Sequence, residues 1–259
     1  MPAPFRSLRA ASSLALLAAL PLLSAAPREV RVAAASDLRF ALEELVAEGA
    51  AAGLRPSVVY GSSGSFFAQI ANGGPFDLFL SADADYPRQL AARGLADGDV
   101  FVYGYGKLAL WVPRGSQLDL AAPRLGALLD PSVRKVAIAN PRHAPYGRAA
   151  EAALRSFGAW EAVQGKLVLG ENVAQAAQFV ESGGADAGLV ALSLALAPRM
   201  REAGRFVVVP PESYPRLEQG GVVLKGATDP AAARALRDLL LGPRGREVLS
   251  RNGFTLPPP

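Results

Sequence analysis

The sequence predicts an α/β fold built on mostly parallel sheets. Three observations carry that expectation. From residue 28 onward, short apolar runs alternate with amphipathic stretches, the pattern of strands joined by helices. The chain has 259 residues, 51% hydrophobic and 19% charged, too apolar for a disordered polypeptide and long enough for two lobes with proper cores. No Pro/Gly/Ser-rich linker divides it after residue 28, so two lobes would be joined by ordered strands and not by a tether.

The run at 30–34 reads as the first strand. Leu38, Ala41, Leu42, Leu45 and Val46 follow at helical spacing. A strand at 58–60 precedes Phe66, Phe67 and Ile70, one face of a short helix that Gly73 and Gly74 end. Residues 77–80 form a third strand leading into a helix at 86–92. Pro113 and Gly115 stop a strand at 107–112. Strands at 136–139, 167–169 and 188–192 repeat the alternation, with helices at 148–157 and 174–181 between them. Strands at 206–209 and 222–224 and helices at 231–241 and 244–251 complete the chain.

The first 26 residues read as an export signal. Arg6 and Arg9 precede a largely apolar run at 10–23, and the small residues Ser24, Ala25 and Ala26 follow. The run is too short and too proline-marked to anchor the chain in a bilayer. The mature protein is expected to be exported, soluble and periplasmic. Its balance becomes 25 basic against 23 acidic residues, +2 in place of +4.

Composition removes several functions. With no Cys and one His, His143, there is no disulfide framework, zinc ribbon, cysteine nucleophile or multi-histidine metal site. A small net charge with no Lys/Arg run excludes a nucleic-acid footprint.

The polar chemistry sits at strand-to-helix corners, where α/β sheets bind ligands. The first corner is Ala33-Ala34-Ala35-Ser36-Asp37, the second Gly61-Ser62-Ser63-Gly64-Ser65. A third, Asn140 to Gly147, precedes the helix at 148–157. A fourth is Gly170-Glu171-Asn172-Val173. Each helix start offers free amides and the positive end of a dipole. Hydroxyls and amides from four corners could grip a tetrahedral oxyanion from two sides. Other readings are weaker. Gly61-Ser62-Ser63-Gly64 does not match the G-x-S-x-G elbow of a serine hydrolase, although Ser63 with His143 as base would be the candidate pair. Asp77, Asp83 and Asp85 lack the dense oxygen set of a calcium loop and read as capping or turn residues. Trp111 and Trp160 read as packing residues, His143 as a surface residue, and Arg142 and Arg148 as solvated.

These same blocks resemble the periplasmic molybdate-binding proteins of ABC transporters. The matching stretches are Ala33-Ala34-Ala35-Ser36, Gly61-Ser62-Ser63-Gly64, Asp77-Leu78-Phe79-Leu80-Ser81-Ala82-Asp83, Ala139-Asn140-Pro141 with Ala144 to Ala150, and Gly170-Glu171-Asn172-Val173. Gly242-Pro243 and Gly253-Phe254 close the series. They occur in family order and cover nearly all of the mature chain.

The resemblance implies a two-lobed periplasmic binding protein fold of type II, each lobe a mainly parallel sheet flanked by helices. Lobe one would be 27–106 plus 208–259, and lobe two 107–207. It implies a non-enzymatic receptor that holds molybdate or tungstate by neutral donors and hands it to a membrane permease. No cofactor, nucleic acid or direct metal coordination is implied, and the protein would be a monomer. The oxyanion-binding residues carried over are Ser36 and Ser63 by hydroxyl and amide, Val173 by amide, and the amide of Asp37. The family's tyrosine near the end of the 188–192 strand is replaced here by Ala191, and Tyr146 is expected to supply a phenolic hydroxyl instead. The Asp37 carboxylate is expected to cap its helix and point away. Receptors for sulfate, phosphate or another tetrahedral oxyanion are the alternatives.

Overall fold

The computed structural model describes residues 28–51, 53–121 and 123–258; the export signal read at 1–26 lies outside them. The first sheet takes its strands from both ends of the chain. It comprises β1 (Arg28–Ala35), β2 (Leu54–Gly61), β3 (Leu78–Ser81), β4 (Phe101–Gly106) and β10 (Leu217–Val223), in the order β2-β1-β3-β10-β4. The second holds β5 (Leu108–Pro113), β6 (Val136–Ala139), β7 (Leu167–Gly170), β8 (Ala187–Ala191) and β9 (Gly204–Val208), in the order β7-β6-β8-β5-β9.

The two sheets share one plan. β1 pairs in parallel with β2 and β3, and β10 runs antiparallel to β3 and β4. Likewise β6 pairs in parallel with β7 and β8, and β5 runs antiparallel to β8 and β9. Four strands of each sheet therefore point one way and a single strand opposes them. The chain crosses between sheets twice: through Lys107, which joins β4 to β5, and through 209–216, which join β9 to β10.

Ten α-helices lie among the described residues. Sheet one carries α1 (Arg39–Ala51), α2 (Ser63–Ala71), α3 (Asp85–Ala92), α9 (Pro230–Leu241) and α10 (Pro243–Arg251). Sheet two carries α4 (Pro145–Ser156), α5 (Trp160–Val163), α6 (Val173–Glu181), α7 (Leu192–Ala195) and α8 (Pro198–Ala203). Successive strand residues point to opposite faces, and both faces of sheet one are covered. Val30, Val32, Ala34, Leu78 and Leu80 pack with Leu42, Leu45, Leu236 and Val248 of α1, α9 and α10. Ala33, Phe79 and Val222, on the other face, pack with Phe66, Ile70 and Leu90 of α2 and α3. Double burial is why these strands read as unbroken apolar runs and not as alternating ones. In sheet two, Leu108, Leu110, Val136 and Ile138 share a core with Ala149, Ala153, Ala176 and Val180. Trp111 is fully buried there, its Nε1 donating to the Met200 carbonyl at 3.1 Å.

The helical and strand periodicities locate most elements within a few residues. The exceptions are the short helices α5, α7 and α8 and the strand β4, which the apolar-run reading passes over. Its signal is the alternation of Phe101, Tyr103 and Tyr105 with Val102, Gly104 and Gly106. α4 starts at Pro145, three residues before the expected 148, because proline suits the first turn of a helix. Tyr146 therefore stands on a helix and not in a loop.

Asp77, at 1% exposure, fastens sheet one just before β3. Its carboxylate accepts from the Arg31 amide at 2.7 Å, from Arg31 Nε and Nη2 at 3.0 and 2.9 Å, and from the Thr228 amide at 2.7 Å. Burial pushes its pKa up, but these hydrogen bonds and the Arg31 charge outweigh it and hold the carboxyl below its ordinary range. Asp77→Ala leaves Arg31 and two amides without their acceptor. It should cost about 3 kcal/mol, read as a lower urea midpoint at unchanged slope.

Candidate functional site

The carboxyl ends of β1, β2 and β3 meet those of β6 and β7 across one cavity between the sheets. It is small, with about 10 Å³ open to the centre of a water-sized sphere. That is far below the roughly 300 Å³ at which pockets for drug-sized organic molecules begin, so the space suits a single small ion. All five residues expected from the sequence line it: Ser36, Asp37 and Ser63 from sheet one, Tyr146 and Val173 from sheet two. No Lys, Arg or His is among the described residues lining it.

The two serines are held in a particular way. Ser63 Oγ accepts from the Ala82 amide at 2.9 Å, and Ser36 Oγ accepts from the Ala174 amide at 3.2 Å. A hydroxyl has one proton and two lone pairs. With an acceptor position filled by a backbone amide, each hydroxyl is oriented to donate its proton elsewhere, and both residues border the cavity. Val173 adds a third donor. Asn172 Oδ1 caps α6 by accepting from the amides of Ala174 and Gln175, both at 3.0 Å. This leaves the Val173 amide as a first-turn N–H without an intrahelical acceptor. Ala191, where the resemblance places a tyrosine, is fully buried at the end of β8.

Asp37 does not point away from the cavity. It is the second residue of a 3-10 turn (Ser36–Leu38), and although the amides of Asp37 and Leu38 lie toward its carboxylate, that carboxylate also reaches across toward β10 and α4. Its Oδ2 accepts from Tyr146 Oη at 3.0 Å and from Gln219 Nε2 at 2.5 Å. Gln219 Nε2 also donates to Tyr146 Oη at 3.2 Å, and its Oε1 accepts from Tyr103 Oη at 3.0 Å. Tyr103 and Gln219 are functional neighbours that pattern reading missed. Their one signal is the polar Gln219 in an otherwise apolar, glycine-rich strand. Gly106 makes room for the group, since a Cβ there would collide with Tyr146 Oη and Gln219 Nε2. Burial pushes the Asp37 carboxyl up to about 6 against the pull of the Gln219 and Tyr146 hydrogen bonds. The same burial, reinforced by Asp37, holds the Tyr146 hydroxyl well above its ordinary range.

Polar contacts rim the cavity from both sheets. Ser62, the N-cap of α2, lies 2.9 Å from His143 Nδ1 and donates to the His143 carbonyl at 2.9 Å. The Gly64 amide donates to the same carbonyl at 2.9 Å, and a Cβ at Gly64 would strike that oxygen. His143 is thus an inter-lobe contact and not the surface residue expected, because its loop is clamped against the start of α2. Arg148 is likewise not simply solvated. It pairs with Asp83 at 2.5 Å and donates to Tyr86 Oη at 3.1 Å, both on the opposite sheet's side. Ser193 Oγ donates to the Asp37 carbonyl at 2.7 Å. The hydrolase pair does not form: the serine beside His143 is Ser62, while Ser63 faces Ala82.

Two α/β lobes joined by crossing strands, with neutral donors converging on a small cavity between them, define a two-lobed solute-binding protein. The chain belongs to the bacterial extracellular solute-binding proteins, whose family profile matches residues 30–255. It is 36% identical over 251 residues to the molybdate-binding protein ModA of Rhodobacter capsulatus, covering 96% of this chain and 97% of the relative. Identity to the molybdate-binding protein ModA of Azotobacter vinelandii is 37% over 245 residues, 93% and 96% of the two chains. The solved structure of an Azotobacter vinelandii periplasmic molybdate-binding protein superposes with a TM-score of 0.82 at 31% identity, covering 88% of this chain and all of that one.

A raised carboxyl pKa makes a pH prediction with a definite sign. Native Asp37 holds its proton at pH values where the unfolded chain has lost it, so its contribution to stability falls as pH rises from about 4 to about 6. A shift of this size is worth on the order of 3 kcal/mol at 1.4 kcal/mol per unit. Asp37→Asn should therefore melt above the wild type at pH 8, with the gap narrowing toward pH 4.

Proposed function

We propose that the protein is an extracytoplasmic receptor that captures molybdate or tungstate between its lobes and delivers it to an ABC permease. The observation that carries this reading is the pair of amide-backed hydroxyls, Ser36 and Ser63, facing the Val173 amide across one cavity. Relatives named for molybdate binding match nearly the whole chain at 36 and 37% identity. We assign Ser36, Ser63, Val173 and the Asp37 amide as oxyanion donors, and place Tyr146 in the same ring. Its hydroxyl proton is engaged by Asp37 in this arrangement, so it reaches the ligand only as Asp37 gives it up. The molybdenum is held through its oxygens and not coordinated by side chains.

The lobes would be 27–106 with 208–259, and 107–207; the strands that each sheet collects support this division, with the second boundary falling at the last residue of β9. Ligand bridging both lobes shifts the population toward closure. Cavity size would select against sulfate. A donor-dominated ring would select against phosphate, whose proton needs an acceptor. The export signal at 1–26 and the periplasmic relative support a periplasmic location. A monomer acting without cofactor or catalysis is the simplest form of the reading; Ser63 sits on the Ala82 amide and not on His143, which argues against a nucleophile.

Thermal melts with molybdate, tungstate, sulfate and phosphate test the assignment. A ligand at a thousand times its dissociation constant adds about 4 kcal/mol. Molybdate and tungstate should raise the melting temperature strongly, and a large shift with phosphate alone would overturn the reading. Ser63→Ala and Ser36→Ala should each weaken molybdate binding by about 1.5–3 kcal/mol, the worth of a hydrogen bond to a charged group, measured by isothermal titration. Tyr146→Phe should weaken it too; unchanged affinity would remove Tyr146 from the donor ring.

A further inference from the structure

Asp37 is an acid in a cavity otherwise built from neutral donors. It lines that cavity at 1% exposure, and its Oδ1 has no hydrogen-bond partner among the described residues. Among the described residues no cation faces it, and the amides of Asp37 and Leu38 lie toward the carboxylate from its own turn. Tyr146 faces it from α4, Gln219 from β10 with Tyr103 of β4 behind, and Ser193 of α7 holds its carbonyl. The Ala174 amide of α6 turns to Ser36 and Asn172. Charged groups on the packed helices are engaged elsewhere: Arg39 with Glu43 on α1, and Glu181 of α6 with Arg199. A dianion entering beside an ionised, unpaired carboxylate would be repelled with little water to screen the charges.

One proton removes the repulsion, and the geometry leaves one place for it. Oδ2 accepts from Tyr146 and Gln219, and it keeps Gln219 when Tyr146 turns to the ligand. Gln219 turns its Nε2 toward Asp37 Oδ2 at 2.5 Å, while Tyr103 Oη shares its one proton between the Ser81 carbonyl at 2.8 Å and Gln219 Oε1 at 3.0 Å. The unpartnered oxygen is the remaining position.

We infer that Asp37 is the proton site of this cavity: the oxyanion is captured together with one proton, held on Asp37 Oδ1, which then donates to a ligand oxygen. The inference rests on the oxyanion reading above. Dianion and proton enter together and leave together. No bond of the ligand breaks, and the closed cavity holds the dianion's two negative charges beside a neutral carboxyl, −2 in place of the −3 it would hold without the proton. The same result follows whether the proton arrives from water or on the oxyanion itself. Burial in this arrangement raises the carboxyl only to about 6, so before the ligand arrives it is mainly ionised above neutral pH, and the proton is taken up as the ligand binds.

Isothermal titration with molybdate, in paired buffers of different ionisation enthalpy, measures this directly. Wild-type protein should take up close to one proton per ligand at about pH 8, and less near pH 6. Its affinity should fall about tenfold per pH unit above neutrality. Asp37→Asn places an N–H where the proton would sit. The variant should bind with no uptake and with the same affinity at both pH values. Molybdate binding by the wild type without uptake, at a pH-independent affinity, overturns the inference and leaves the oxyanion reading standing. Uptake that persists in Asp37→Asn overturns it as well, by assigning the proton to another group. If the variant does not fold, the wild-type proton count decides alone. Absence of heat with molybdate, tungstate, sulfate and phosphate at every pH overturns both readings together.

Discussion

An ion sealed away from water needs a donor for each lone pair it exposes, and every donor needs a proton to spare. That requirement organises the proposed site. There Ser36 and Ser63 would meet it because a backbone amide from another element already occupies an acceptor position on each oxygen. Val173 would meet it because Asn172 caps the two amides that follow. These donors exist only where parallel strands end and helices begin, so the sheet architecture and the donor set are one solution to one problem. A lysine or arginine in their place would attract anions of any shape. Neutral donors at fixed positions discriminate by geometry.

Site and closure are also a single event. Ser36 belongs to one sheet and the Ala174 amide that orients it to the other; the same division separates Asp37 from Tyr146, and Ser62 and Gly64 from His143. Separating the lobes would return these hydroxyls and amides to water and dissolve the ring. Each such bond contributes only about 0.5–1.5 kcal/mol net, and the partly exposed Arg148–Asp83 pair contributes little more. The closed arrangement is therefore held by several modest contacts, a condition in which ligand binding can shift the balance between open and closed forms.

How much of this was readable in advance differs by element. Strands buried on both faces, such as β1 and β6, announce themselves as apolar runs, and α6 announces its start through Asn172. β4 hid because its aromatic residues alternate with glycines that make room for neighbours. The five cavity residues were legible because they stand at strand-to-helix corners and match a family pattern. Gln219 and Tyr103 were not, since their importance lies in a partner 182 residues away in one case and in a second-hand contact through Gln219 in the other. The Asp37 carboxylate was expected to point away from the cavity because local spacing favoured a cap; the 3-10 turn after β1 also aims it toward β10 and α4.

Taken alone, the sequence determined the alternation of strands and helices, the small hydroxyl-rich corners, and the absence of cysteine and of all but one histidine. Those properties are local: they follow from side-chain chemistry and from periodicities of two and 3.6 residues. Only the tertiary structure decided which corners meet, which serine faces the cavity and which faces His143, and that a carboxylate lies among the donors without a cation beside it. Those outcomes depend on how two sheets, each assembled from distant segments, are set against each other. Hydrogen bonds across that gap have directions and distances that no pattern along the chain encodes.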